Sequence, residues 1–324
     1  MSSGLISVRN LTKDYGDNRG VFDISLDIQE GEVFGYLGTN GSGKTTTIRH
    51  MMGFLKPDSG EVLVNGLNPW KQAPEVMRDV SYIPGEIAFP DLTTGTDFLK
   101  VQAQFLGVKD FTYMNHLIDL LGLDPSANLK RMSKGMKQKT AIVAALMGDK
   151  KILLMDEPTT GLDPLMRETF LELVREEKKK GRTIFMSSHI FEEIEDVCDR
   201  VAIIGNGKIK DVLSLYKLRQ DTPRMFRITF ANEAAAQEYV NRVPEAAIDG
   251  RGTYPGESAA PDQDRQYENA SRLPGSSKVS FAVPAAETDR VIKATKGLPI
   301  VSVDETHEDL EEYFMNIYRK EIRQ

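Results

Sequence analysis

An α/β fold with a largely parallel sheet is what this sequence predicts, and three observations carry the prediction. Strand-like and helix-like patterns alternate over the first two-thirds of the chain. The stretch "EVFGYLG" (residues 32–38) is a short, nearly continuous apolar strand that ends in glycine, and a helical pattern follows it. The stretch "KILLMDEP" (residues 151–158) reads as a second buried strand with a polar end.

The elements follow in order. "LISV" opens a strand, and "VFDISLDIQ" alternates strictly, which sets Phe22, Ile24, Leu26 and Ile28 on one face. "KTTTIRHMMG" reads as a helix that stops at Gly53. "PDSGEVLVNG" brackets a further strand with turn residues. Residues 95–122 are helical in pattern and form an inserted lobe. "FLELVREEKKKG" is a helix ending at Gly181, and "RTIFMSSH" is a strand with a polar end. "RVAIIGNGKI" is a hairpin turning at Asn206-Gly207. The composition shifts after Lys217, which divides the chain into a domain over residues 1–218 and a small α+β domain over 219–324. The second domain reads as a strand at 225–230 and a helix at 233–243. Strand, helix, strand and helix follow at 278–283, 287–296, 300–305 and 310–322. Residues 244–276 lack a periodic apolar pattern and read as a long loop with a short strand at 246–249.

Composition narrows the function. The net charge is -7 and the pI about 5.4, which argues against a general nucleic-acid binder. The single cysteine, Cys198, excludes an internal disulfide and suits a reducing cytosol. The first residues carry no apolar run of signal-peptide length. No segment approaches the roughly 20 apolar residues that a spanning helix needs. If this protein works at a membrane, another chain supplies the span.

The chemistry begins at "GTNGSGKT" (residues 38–45), which matches the Gly-x-x-x-x-Gly-Lys-Ser/Thr phosphate loop at every fixed position. A triphosphate needs backbone N–H groups converging on its oxygens, and glycines at 38, 41 and 43 let the chain curl to supply them. The helix that follows turns its positive end toward the anion. Lys44 adds a point charge for the β and γ phosphates, and Thr45 a hydroxyl for Mg²⁺. "ILLMDE" supplies two acids at a strand's carboxyl end. Asp156 is the candidate to hold Mg²⁺, and Glu157 the candidate base for the attacking water. His189 ends a strand of the same sheet, where a neutral imidazole bridges γ-phosphate and water. One segment stays open on residues alone. "RMSKGMKQKT" (residues 131–140) carries four cations, which suit a nucleic-acid patch, a solvated helix face or a phosphate sensor.

These motifs in this order resemble the ATP-binding subunit of ABC transporters, over about the first two-thirds of the chain. The resemblance implies a P-loop NTPase core with an antiparallel β lobe and a helical lobe. It implies ATP and Mg²⁺ as cofactors, with Gly38, Asn40, Gly41, Ser42, Gly43, Lys44, Thr45 and Thr46 around the phosphates. "RMSKGMKQK" is similar to the family signature, usually Leu-Ser-Gly-Gly-Gln. Met132 stands for the leucine, Ser133 and Gly135 match, Lys134 replaces a glycine and Met136 the glutamine, with Gln138 two residues on. The resemblance implies that Ser133, Lys134 and Gly135 reach the ATP of an opposing subunit. It also places Asp163, in "TTGLDP", at the subunit contact, His189 at the switch histidine and Tyr15 where an aromatic ring stacks on adenine. One element departs: Gly85, in "SYIPGEIAFPDLT", stands at the family's usual glutamine, with Glu86 beside it.

The C-terminal "DLEEYF" resembles the close of an accessory domain in bacterial exporter ATPases that pair with separately encoded permeases. The implied partners are a second copy or homologous ATPase subunit and a multi-span membrane permease, at the cytoplasmic face of the plasma membrane. No nucleic acid is expected. The competing reading is a soluble ATPase of this superfamily in translation or DNA maintenance. A translation factor usually carries two such cassettes, and only one is visible. A DNA-maintenance ATPase inserts a long coiled coil, for which the gap between Lys44 and Asp156 has no room.

Overall fold

The computed structural model describes residues 4–221, 224–244, 246–248 and 277–307, with residues 310, 311, 313–315 and 317 of the last helical stretch. The long loop expected at 244–276 therefore lies almost wholly outside the described residues, as does part of the final helix. The chain divides into two compact units, Met1–Leu215 and Tyr216–Gln324.

The first unit opens with β1 (Ile6–Asp14) and β2 (Gly20–Ile28), then β3 (Val33–Leu37) runs into α1 (Lys44–Met51). β4 (Ser59–Val64), α2 (Ala73–Val76) and β5 (Val80–Ile83) lead to the helical lobe, α3 (Gly95–Leu106) and α4 (Thr112–Leu120). α5 (Lys134–Leu146), β6 (Ile152–Asp156), α6 (Pro164–Lys179), β7 (Thr183–Ser188) and α7 (Phe191–Val197) return through the core. The hairpin β8 (Arg200–Gly205) and β9 (Lys208–Ser214) closes the unit. β2, β1 and β4 form an antiparallel sheet in that order. The second sheet has the order β5-β6-β7-β3-β8-β9, parallel except for the β8–β9 pair.

Strands β3, β6 and β7 are buried from end to end. Central parallel strands covered on both faces must be apolar throughout, and this explains the unbroken runs in the sequence. Phe34 stacks on Phe185 at 5.9 Å, and Tyr36 tilts against Phe185 at 5.2 Å. Each such fully buried side chain contributes roughly 1.5–3 kcal/mol.

One expectation needs correcting. Strict alternation set Phe22 on one face with Ile24, Leu26 and Ile28, yet Val21 is buried with them and Phe22 is only half-buried. The pairing register shifts between Val8 and Leu11 and again before Lys13. Asn10 and Asp23 both adopt positive φ there, 48° and 56°, and the Asn10 amide donates to Asp23 at 2.7 Å. This bulge inserts an extra residue and reverses the inward face beyond it.

The helical lobe is tied to the core by a buried ionic cluster. The Tyr113 hydroxyl of α4 donates to Glu177 at 2.6 Å, and Lys180 donates to the same oxygen at 2.8 Å. Arg182 pairs with the other Glu177 oxygen at 2.7 Å. At its entry α3 carries a reciprocal cap between Thr94 and Asp97.

The second unit holds α8 (Leu215–Asp221, which starts at the boundary), β10 (Arg224–Phe230), α9 (Glu233–Arg242), β11 (Ala247–Ile248), β12 (Ser277–Val283), α10 (Thr288–Lys293) and β13 (Ile300–His307). Its antiparallel sheet has the order β11-β12-β10-β13. Phe226, Ile228 and Phe230 alternate inward and form one core with Tyr239, Val279 and Phe281. The buried Tyr239 hydroxyl donates to Val291 O at 3.1 Å, so that polar group is satisfied. Among the described residues no helix is long and apolar enough to cross a membrane.

Candidate active site

The carboxyl ends of β3, β6 and β7 are neighbours, because β6 pairs with β7 and β7 with β3. Open α/β sheets expose their ligand-binding crevices at such ends. The loop after β3 wraps into α1 through Gly41 and Gly43, with φ of 81° and 112°. Gly43 is also steric: a Cβ there would lie 2.7 Å from Val21 Cγ1. A Cβ on Gly38 would meet Ile204 O at 2.4 Å. Below the loop, Gly207 N of the β8–β9 turn donates to Ser42 O at 3.0 Å.

Lys44, 5% exposed, folds its ammonium back into the loop. It donates to Gly38 O at 2.6 Å and Thr39 O at 3.2 Å, and pairs with Glu157 Oε1 at 3.0 Å. Glu157 Oε2 lies 2.5 Å from His189 Nδ1, so a continuous chain of polar contacts crosses the crevice. Glu157 has φ of 50°, a left-handed backbone that glutamate rarely adopts. Its N–H donates to Ser187 O at 3.2 Å and Ser187 Oγ at 3.0 Å, which anchors the bend.

Asp156 is fully buried at the end of β6. Ser187 Oγ donates to its Oδ1 at 2.7 Å, whereas Oδ2 has no hydrogen-bond partner among the described residues. Gly85 passes directly over that oxygen: a Cβ there would lie 3.2 Å from Asp156 Oδ2. Glu86, beside Gly85, is exposed. Burial, with the Asp156 charge second, pushes the nearby Tyr82 hydroxyl up to about 12.

The other expected residues are distributed. Asn40 and Gly41 are exposed at the loop's tip, and Thr45 and Thr46 lie half-buried in the first turn of α1. Tyr15 belongs to the β1–β2 turn, whose far end at Gly20 and Val21 packs on Gly43. Its ring is half-exposed, with Lys13 Nζ 6.0 Å from the ring centre. Ser133 caps α5, accepting from Met136 N at 3.2 Å. Ser133 and Lys134 are exposed, and among the described residues neither bonds to the phosphate loop. Asp163 caps α6, accepting from Met166 N at 3.0 Å.

Sequence reasoning missed three buried supports. Ser187 joins Asp156 to the Glu157 backbone. Gln138 Nε2 donates to Pro158 O at 2.6 Å. Glu193 accepts from Ser188 Oγ at 2.8 Å and lies 3.3 Å from Arg167 Nε. Burial raises the pKa of Glu193 against the bonds from Thr159 and Ser188. Only "SSH", polar residues at the end of an apolar strand, offered a signal for Ser187.

Residues 21–160 match the family model for the ABC transporter. The bacitracin transport ATP-binding protein BcrA of Bacillus licheniformis is 32% identical over 72% of this chain and 78% of its own length. The Nod factor export ATP-binding protein I of Ralstonia nicotianae is 33% identical, over 64% of this chain and 66% of its own. A solved ATP-binding subunit of an ABC transporter superposes with a TM-score of 0.59 at 32% identity, covering 67% of this chain and 92% of that one. A dimeric bacterial ABC transporter cassette gives 0.57 at 22% identity, covering 65% of this chain and 98% of that one; this second likeness bears on the fold.

Proposed function

The chain belongs to the ABC transporter family of ATP-binding proteins and is an ATPase, and on that premise we propose that it powers export through a separate membrane permease. The relatives that carry transport or export in their names support this direction over a role in translation or DNA maintenance. The first unit is then the nucleotide-binding part and the second an accessory part. The protein would sit at the cytoplasmic face of the membrane, held there by the permease.

The observation that carries the ATPase reading is the chain of contacts Lys44–Glu157–His189 at the shared ends of three strands. All three oxygens around the Lys44 ammonium can be exchanged for phosphate oxygens, which compete well for a buried cation. Glu157, released from Lys44, is then free to accept a proton from water, and His189 holds its other oxygen in place. The site also suits Mg²⁺, because the buried Asp156 Oδ2 has no other partner among the described residues and Thr45 stands at the head of α1. When bound, Mg²⁺ would neutralise charge on the phosphates. Asn40, Gly41, Ser42, Gly43 and Thr46 would surround the phosphates and Tyr15 the base. Ser133, Lys134 and Gly135 would come from the other subunit of an ATP-closed dimer, with Asp163 at the seam. Closing that dimer excludes water and completes the cradle of donors.

Glu157→Gln is the decisive variant. It should bind ATP and accumulate as a dimer in gel filtration with ATP; rapid turnover would refute the role given to Glu157. Lys44→Ala should lose both ATP affinity and hydrolysis, and wild-type turnover in that variant would overturn the phosphate-loop assignment.

A further inference from the structure

The turn that carries Glu157 is gripped by α5. Gln138 lies in the second turn of that helix, 2% exposed, and its amide meets Pro158 O at 2.6 Å. That carbonyl belongs to the residue directly after Glu157, whose φ of 50° must be held from outside. Ser187 holds it from the strand side. The grip has a second point. A Cβ on Gly135 would lie 2.8 Å from Gly161 O, and one on Gly161 would lie 2.9 Å from Lys134 Cγ. The start of α5 therefore touches the 157–161 turn at both ends.

We propose that Gln138 is a positioning residue that sets the peptide aiming Glu157 and ties that aim to the helix opened by Ser133. The inference rests on the reading that Glu157 serves the chain's own ATP and Ser133 the partner's. In the closed pair one buried hydrogen bond then joins the two ATP sites. Seating of α5 on the partner's triphosphate is transmitted to the base without passing through the dimer seam again.

The test uses the full chain carrying Gln138→Met, which keeps the side chain's length and removes the donor. Steady-state ATPase rates and binding of a fluorescent ATP analogue are measured with the thermal unfolding midpoint. The kcat should fall about tenfold, the worth of one buried hydrogen bond, while KM and ATP affinity move less than about twofold. Gln138→Asn, too short by one methylene to reach Pro158, is the second variant and should behave alike. Wild-type kcat in either folded variant overturns the proposal. So does a loss of ATP affinity equal to the loss of kcat, or failure of both variants to fold, because the bond is then only structural. Glu157→Gln runs alongside. Turnover surviving there refutes the reading of Glu157; arrest there with wild-type kcat in Gln138→Met refutes the role of Gln138 alone.

Discussion

Glu177→Ala tests how the helical lobe is tied to the core. The Glu177 carboxylate is fully buried and holds Tyr113, Lys180 and Arg182 at 2.6, 2.8 and 2.7 Å. Burial works against the Lys180 ammonium, but its bonds to Glu177 and Tyr113 outweigh this and hold its pKa above the ordinary value. Burial and the Glu177 bond together raise the Tyr113 hydroxyl. Removing the carboxylate leaves the Arg182 guanidinium, 7% exposed, with Gly148 O and the exposed Asp149, both at 3.2 Å. Lys180 is 43% exposed and can turn to water, so its share is small. Breaking a buried ion pair from one side costs about 3–5 kcal/mol. In a unit of this size each kcal/mol moves the midpoint by about 2–4 °C, so the expected fall is about 6–20 °C. Trp70 is the sole tryptophan and belongs to the first unit, so its fluorescence follows that unit. Tyr113→Phe keeps the ring and removes the hydroxyl's two hydrogen bonds, the one donated to Glu177 and the one accepted from the exposed Lys180, and should lower the midpoint by only about a third as much. A Glu177→Ala midpoint within about 2 °C of wild type would refute the claim that this cluster is a structural tie.

Two other outcomes are expected. Lys134→Gly removes a cation from the proposed dimer seam and the methylene stem that covers Gly161, and should lower ATP-dependent dimerisation and turnover several-fold; unchanged values would make the lysine incidental. Cys198 is buried, and burial, with the Asp199 charge second, pushes its thiol far above the ordinary range. The thiol stays protonated in the fold, so its contribution to stability is complete below the unfolded pKa of about 8.5 and declines as pH rises past it. Iodoacetamide at alkaline pH should label the native chain far more slowly than the urea-unfolded chain, and equal rates would contradict the burial.

The phosphate loop was legible because its demands are local. Glycines at fixed spacing, a strand before and a helix after all fall within one short window, and the acids of "LLMDE" announce a buried strand's polar end. Supports that join distant segments left no such trace. Gln138 and Pro158 are linked only once α5 and β6 pack together, and a lone glutamine in a cationic run gives no warning of a buried amide. Ser187 is one of two adjacent serines, and only the register of β7 against β6 selects it. Phe22 was placed on the wrong face because alternation presumes an unbroken ladder, and the Asn10–Asp23 bulge breaks it. Gly85 was noticed as a missing side chain, but its approach to Asp156 belongs to the fold.

The β8–β9 turn carries a last consequence. Gly207 donates to Ser42 O and receives Phe22 N on its own carbonyl at 2.7 Å, and a Cβ there would lie 2.4 Å from Gly20 O. The cradle for the anion is thus braced from a hairpin that no motif includes. A side chain introduced at 207 would press on Gly20 and Phe22 of β2, the strand whose Gly20 and Val21 in turn pack on Gly43 of the loop. Scored by motif, such a variant is silent; in a binding assay it is expected to weaken nucleotide binding as a change in the glycine loop would. The functional sequence of this site is therefore longer than its signature and is written in two distant places.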